Sequence, residues 1–306
     1  MKRYVVGLDG GGTKTAVTVA DLSGNILTAF QSGAINPNGE GIQNVTTNLA
    51  SVFTILKEKF GEISGCAAMC IGAAGISNPA AEQIFKTAAA DSGYHGKLII
   101  TGDHITAFYG ALDQPCGAIL IAGTGSICYG KNQSGTEHRT GGFGHLIDDE
   151  GSGYAIGRDI LSAIVREFDG RGASTVLTNM VYHQLGFSDI DRLVGFIYNK
   201  ATNKRDIAAL SPNLTLACEQ QDRVALKIAK KCAGELEKLV IPVVQKLGLQ
   251  KESLALAGSI LRKDAFICNE LIHKIASDLP ELTCHEPRHD AAYGAVLIAM
   301  ESLKTL

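Results

Sequence analysis

Residues 5–25, VVGLDGGGTKTAVTVADLSGN, read as an apolar strand, a glycine loop, a second strand and a polar turn ending in Ser-Gly. Residues 118–136, AILIAGTGSICYGKNQSGT, read the same way. β-Branched and small residues after each loop favour strand over helix. The repetition points to an internal duplication of one supersecondary plan. In the first copy Tyr4–Leu8, Ala16–Ala20 and Ile26–Phe30 form a meander. A helical stretch from Ile42 to Lys59 follows, with Val45, Leu49, Val52, Phe53 and Leu56 on one face. Then come a strand at Cys66–Gly72, a helix from Pro79, a strand at Lys97–Thr101 and a helix from Asp103. The second copy opens with strands at Gly117–Ala122 and Ile127–Gly130. Beyond Gly151 the chain is mostly helical, near Tyr154–Phe168, Thr175–Leu185 and Ile190–Asn199, with one long stretch at Leu214–Leu247 interrupted by Pro242. A strand at Leu254–Ala257, a helix opened by residues 258–264, a strand at Leu282–His285 and a last helix at Asp290–Leu303 complete it. The class is α/β. Two domains are expected, 1–115 and 116–306, with a boundary near Gln114-Pro115 and a last helix that is a candidate to pack back on the first domain.

A chain of 306 residues is long enough for two cores. Apolar residues at 45% and charged residues at 19% describe an ordinary globular mix. A formal net charge of -3 gives no attraction for nucleic acid or an anionic membrane. The longest apolar run lies within Ala118–Ala122, far too short to span a bilayer, and the start reads as no signal peptide, so a cytoplasmic protein is expected. The eight cysteines include no CxxC and read as small buried apolar residues. Cys66 and Cys70, four apart on a strand, share a face without converging as metal ligands do.

Gly10, Gly11 and Gly12, followed by Thr13, Lys14 and Thr15, present backbone N–H groups with no side chains in the way, which suits phosphate oxygens. A P-loop needs Lys directly after the last glycine and must open a helix; here Thr13 fills that place and a strand follows. The dinucleotide fingerprint fails for the same reason. A hairpin gripping phosphates between two strands is left, against the plainer reading of a tight turn. Three consecutive glycines, each costing about 0.5–1 kcal/mol in chain entropy, favour the ligand-binding reading. Lys14 also reads as a solvated strand residue. Asp9, beside the loop, is a candidate holder of Mg²⁺, directly or through water, or else forms an Asx turn that shapes the loop. Residues 122–126, including Thr124, Gly125 and Ser126, form the second loop, expected to face the first across a cleft. Gly258 and Ser259 offer a weaker third nucleotide contact.

Asp103 stands at the end of a strand and the start of a helix. A helix N-cap is one reading. The other is a base, because ligands of open α/β sheets sit at strand carboxyl ends and a kinase needs a carboxylate to deprotonate the attacking hydroxyl. Residues 141–159, GGFGHLIDDEGSGYAIGRD, form a glycine-rich acidic loop in which Asp149 could accept sugar hydroxyls and Phe143 could stack on a sugar face. Compensation of a helix dipole is the alternative for Asp148, Asp149 and Glu150. Asn36 offers an amide or shapes a turn. His145 and the CHEPRH segment at 284–289 read as structural rather than metal-binding.

LDGGGTKT, TGD at Asp103, AGTGS, GGFGH with DDEGSGYAIG, and a late AGS occur in this order. The chain thereby resembles the BadF/BadG/BcrA/BcrD-type ATPase superfamily, on the branch with N-acetylglucosamine kinase. The resemblance implies two ribonuclease-H-like domains with mixed sheets around a central cleft, of the actin/hexokinase type, with ATP bound mainly on the second; domain closure over sugar and MgATP is expected in order to exclude water that would otherwise be phosphorylated. It implies phosphorylation of an amino sugar at its C6 hydroxyl, with N-acetylglucosamine first and N-acetylmuramic acid or glucosamine as alternatives. Carried over by motif, Thr13 and Thr124 contact ATP phosphates, Asp103 is the base, and Asn36, Gly142, Phe143, Gly144 and Asp149 line the sugar. Mammalian relatives carry Trp where Phe143 stands, so the stacking platform is smaller here. Expected partners are ATP, Mg²⁺ and an amino sugar, in a homodimer.

A repressor of the family sharing GGTK would need a CxCGxxGC motif and a helix-turn-helix, and neither is in the sequence. An ATPase activator of a CoA-ester dehydratase would bridge an iron–sulfur cluster with paired cysteines, for which Cys116 and Cys128 are the candidates. A sugar sensor without turnover would have no use for Asp103.

Overall fold

A computed structural model describes residues 3–11, 13–36, 41–76, 79–112 and 116–304. The chain divides into two compact units. One comprises Met1–Pro115 with Pro287–Leu306, the other Cys116–Glu286. The Gln114-Pro115 boundary itself lies outside the described residues.

The first unit is a five-stranded sheet of order β3-β2-β1-β4-β5. β1 (Tyr4–Gly10), β2 (Lys14–Asp21) and β3 (Ile26–Gly33) run antiparallel as a meander, while β4 (Cys66–Ala73) and β5 (Lys97–Gly102) run parallel to β1. Both faces are covered, as parallel strands require. Tyr4, Val6 and Leu8 point to one side, against α1 (Ile42–Phe60) and α2 (Pro79–Asp91). The stripe Val45, Leu49, Val52, Phe53 and Leu56 is the buried face of α1. Val5, Ala68 and Cys70 point to the other side, against the last helix, α12 (Ala291–Lys304). Small residues permit this close approach. A Cβ at Gly7 would collide with the Ala292 carbonyl. One at Gly294 would collide with the Thr106 carbonyl on α3 (Asp103–Ala111).

The second unit repeats the plan. Its sheet order is β10-β9-β6-β7-β8, in which β6 (Gly117–Ala122), β7 (Ser126–Lys131) and β8 (Glu137–Gly141) are antiparallel. β9 (Ser253–Ala257) and β10 (Thr283–His285) continue parallel to β6. Both sheets therefore have the ribonuclease-H-like order, three antiparallel strands followed by two parallel ones. β8 carries no sequence prediction, because EHRTG is short and polar and only its pairing with β7 marks it as a strand.

Helices fill the second unit: α4 (Gly153–Phe168), α5 (Leu177–Leu185), α6 (Ile190–Ile197), α7 (Lys204–Ala208), α8 (Pro212–Glu219), α9 (Arg223–Leu247), α10 (Ser259–Lys263) and α11 (Ala265–Asp278). The single stretch expected over Leu214–Leu247 is corrected to two helices. The break falls at Gln221, which has a φ of 58°, and Asp222 restarts the helix by accepting the Val224 and Ala225 N–H groups. Pro242 lies inside α9 without ending it. Among the described residues no helix is long and apolar enough to cross a membrane.

Candidate functional site

In the first unit the candidate residues gather at the carboxyl edge of the sheet. β1 ends in Asp9 and Gly10, and the turn to β2 is closed by Gly11 N–H donating to the Lys14 carbonyl at 3.1 Å. Thr13 and Lys14 are exposed; Gly12 lies outside the described residues. A Cβ at Gly10 would stand 2.5 Å from Ile35, so the segment after β3 lies directly against this strand end. Ile35 is fully buried and Asn48 Nδ2 donates to the Ala34 carbonyl at 2.7 Å. That anchorage sets Asn36, the next residue, beside the loop.

Asp103 opens α3 immediately after β5. It does not cap the helix: Gly102 is the N-cap, with no side-chain cap bond. Its carboxylate accepts the His104 N–H at 2.9 Å and lies 3.7 Å from His104 Nδ1. Its side chain is 47% exposed, so a substrate hydroxyl can reach it. Asp9 is more enclosed. Burial first, then the charges of Asp103 and Asp290, push its carboxyl up to about 6. Asp290 was not singled out in the sequence. Its Oδ1 accepts the Tyr293 N–H at 2.8 Å at the head of α12, an ordinary capping pattern that gives no hint of its nearness to Asp9. Among the described residues no group of three or more His, Cys, Asp or Glu could hold a metal ion.

In the second unit the β6–β7 turn is latched to α4. Gly123 N–H donates to the Gly125 carbonyl at 2.9 Å, Gly153 N–H to the Gly123 carbonyl at 2.7 Å and Tyr154 N–H to the Thr124 carbonyl at 3.3 Å. Ser126 is buried. Its N–H donates to Asp149 Oδ1 at 3.2 Å and its hydroxyl to the Glu150 carbonyl at 2.7 Å. Asp149 is itself buried with a φ of 67°, and burial is the main cause that raises its carboxyl, while the Ser126 N–H and Lys204 act in the opposite sense. A Cβ at Gly125 would stand 2.8 Å from Asp149 Oδ1. The acidic segment and the glycine loop are thus one packed unit.

Gly142 and Gly144 both adopt positive φ, 74° and 95°, and hold Phe143 outward, 60% exposed. Phe143 N–H donates to Asp148 Oδ2 at 3.0 Å, and the Arg139 guanidinium lies 4.7 Å from the centre of its ring. Leu146 and Ile147, next along, are also exposed.

A cavity of about 480 Å³ opens beside the β6–β7 turn, lined by Gly123, Thr124, Gly153 and Ser259 together with Arg205 and Lys263. Gly258 sits at φ 94° directly against Ala122, whose carbonyl a Cβ there would strike. The structure therefore brings Thr124 and Ser259 to one cavity, whereas Ser126 is turned into the packing beneath it. Asp264 also lines the cavity. It caps α11 through the Ile267 N–H at 3.0 Å and accepts the Thr215 hydroxyl at 2.7 Å. Arg205, Lys263 and Asp264 escaped the sequence reading because nothing in their local pattern marks a ligand. Cys116 and Cys128, the candidates for a cluster, are both buried, and burial holds the Cys128 thiol well above its ordinary range.

The model of the BadF/BadG/BcrA/BcrD ATPase family matches residues 6–299, and the chain belongs to that family. Over 97% of the chain and 98% of the relative, it is 34% identical to an N-acetylmuramic acid/N-acetylglucosamine kinase of Clostridium acetobutylicum. It is 29% identical, over 99% of each, to an N-acetyl-D-glucosamine kinase of Dictyostelium discoideum. Among solved structures, a Chromobacterium violaceum protein provisionally assigned as an N-acetylglucosamine kinase shares the fold with a TM-score of 0.81 at 24% identity, over 97% of this chain and 99% of that one.

Proposed function

We propose that the chain is an ATP-dependent kinase that phosphorylates an amino sugar, N-acetylglucosamine first, at its C6 hydroxyl. The observation that carries this reading is the state of Asp103. Its carboxylate stands at the carboxyl end of the parallel strand β5, accessible, with Gly102 rather than Asp103 at the cap position and one carboxylate oxygen on the adjacent His104 N–H. The full-length likeness to curated amino-sugar kinases supports the choice of acceptor.

The reading assigns acceptor activation to the first unit and nucleotide binding to the second. Asp103 orients the acceptor hydroxyl and takes its proton as the phosphoryl group moves. The amides of residues 11–14 and of 123–125 stabilise charge on the transferring group, with Thr13, Lys14 and Thr124 beside them. The cavity beside Thr124 and Ser259 takes the nucleotide. Asn36, Phe143 and Asp149 recognise the sugar, Asp149 from its packed position against the loop. Asp9 is an oxygen donor suited to Mg²⁺, and with no three-ligand cluster among the described residues the ion would keep waters and phosphate oxygens in its shell. The bound ion would neutralise phosphate charge. A homodimer in the cytoplasm, acting in reuse of cell-wall sugars, belongs to the same reading.

A coupled ADP-release assay across N-acetylglucosamine, N-acetylmuramic acid and glucosamine tests it; turnover with none of them ends the proposal. Asp103→Asn is expected to lower kcat by a factor on the order of 10²–10⁴ with ATP binding unchanged, following what a positioned base contributes. Near-normal kcat in that variant would remove Asp103 as the base.

A further inference from the structure

A second cavity, about 560 Å³, lies on the outer helices of the second unit and has no part in the proposed reaction. It is bounded by α4, α6 and α7. Its apolar floor is Leu161, Val165, Leu193 and Ile197, and Tyr154 and Tyr198 stand at its walls. Three arginines line it, Arg158, Arg166 and Arg171, and no acidic residue is among the lining. Its size is that of a small-molecule site.

The arginines have donors to spare. Arg158 meets the Glu150 carboxylate through Nη2 alone, at 2.7 and 2.8 Å, which leaves Nε–H and Nη1 unused. Arg171 engages Asp169 Oδ2 through Nε and Nη2, which leaves Nη1. The Arg166 guanidinium has no hydrogen-bonded partner among the described residues, and its charge is felt by Asp169. Two pairs that balance and one arginine that does not give the groove a positive surplus. Planar guanidinium forks match phosphate oxygens, and a phosphate monoester carries roughly -1.5 to -2 at neutral pH. The apolar floor and the tyrosine rings suit a ring-bearing body attached to that phosphate. Val194 and Tyr198 at the rim are exposed, at 44% and 84%.

We propose that this groove is a second ligand site, which takes the phosphate monoester of a ring-bearing small molecule. Its occupancy reaches the phosphate loop through α4. Tyr154 lines the groove while its N–H donates to the Thr124 carbonyl. Arg158 grips Glu150, whose carbonyl holds the Ser126 hydroxyl. A phosphate that draws on Arg158 therefore acts on the same segment that shapes the loop, and the groove is a place from which turnover can be regulated.

The test is calorimetric titration of the full chain with three probes: glucosamine 6-phosphate, adenosine 5′-monophosphate and inorganic phosphate. One monoester is expected to bind more tightly than inorganic phosphate, and the stronger of the two identifies whether the source is a sugar or a nucleoside. Arg166→Glu should weaken that binding at least tenfold while leaving unliganded turnover within twofold. Val194→Glu, on the exposed wall, should do the same and serves if Arg166→Glu fails to fold. The proposal is overturned if neither monoester binds, if inorganic phosphate binds equally well, or if both variants bind the monoester as the wild type does, which would place it in another site. A halving of particle mass by light scattering in Val194→Glu would also overturn it, since a second copy would then be what covers the groove. Because binding is read without catalysis, these outcomes stand apart from the success or failure of the kinase assay.

Discussion

Replacing Asp9 by Asn should stabilise the protein at neutral pH while removing its activity. The Asp9 carboxyl is enclosed at the end of β1 and shares its surroundings with Asp103 and Asp290, which together with burial lift it from an ordinary 3.8 to about 6. A carboxyl whose folded value is raised binds its proton more tightly in the native state than in the unfolded chain. The neutral form then favours folding: that contribution is complete below 3.8 and is lost as pH rises through 6. Each pKa unit corresponds to about 1.36 kcal/mol, so above pH 7 the ionised group costs the fold on the order of 3 kcal/mol. Asparagine keeps the shape and discards the charge, but its amide is buried too, so a net gain of about 1–3 kcal/mol is expected. At about 2–8 °C per kcal/mol for a unit of this size, that is a rise in Tm of several degrees. Circular-dichroism melts of wild type and D9N at pH 4, 5, 6, 7 and 8, without nucleotide, measure it. The gap should be near zero at pH 4, grow between 4 and 6 and level off above 7. A D9N protein that is less stable at pH 8, or a gap that does not vary with pH, refutes the reasoning. Loss of turnover alongside the gain in stability would mark a charge retained for chemistry at a structural cost.

Gly294→Ala sets a Cβ into the Thr106 carbonyl where α12 crosses α3, so a loss of more than about 3 kcal/mol or failure to fold is expected, read by urea denaturation. Asp264→Ala removes the cap of α11 and the partner of the Thr215 hydroxyl; a loss of about 1–3 kcal/mol and a raised KM for ATP should appear together in denaturation and initial-rate measurements. Gly258→Ala combines φ 94° with a collision at Ala122, and nucleotide binding by calorimetry should fall by a larger factor than binding of the sugar.

The fold was legible where periodicity carries it. The five-residue stripe Val45, Leu49, Val52, Phe53 and Leu56 specifies the buried face of α1, and that face is found as read. Duplication showed in the loops because a hairpin that brings backbone N–H groups forward must use small residues, and small residues are conspicuous. β8 was invisible because a strand of Glu, His, Arg, Thr and Gly is held by its neighbour rather than by its own preference. The break at Gln221 was invisible because it consists of a positive φ at a residue that rarely adopts one. At the candidate site, residues that announce themselves do so through backbone demands, as Gly142, Gly144 and Gly258 do. Arg205, Lys263, Asp264 and Asp290 are drawn into place by helices distant in sequence, and no local pattern could give them away.

Asp149 and Ser126 show how far a motif can be taken as a list of ligands. Both belong to segments that point to ligand binding, yet they spend hydrogen-bonding capacity on joining those segments: the Ser126 N–H on the Asp149 carboxylate, the Ser126 hydroxyl on the Glu150 carbonyl. A carboxylate on a residue held at φ 67°, buried where a Cβ on Gly125 would stand 2.8 Å from its Oδ1, is fixed by the loop as much as it fixes the loop. The two motifs are therefore one mechanical piece. A substitution in the acidic segment should alter nucleotide affinity, and a substitution in the glycine loop should alter sugar affinity, even where the changed residue touches neither ligand. That coupling rests on the shared bonds and on the proposed placing of nucleotide and sugar, and does not depend on which amino sugar is the acceptor.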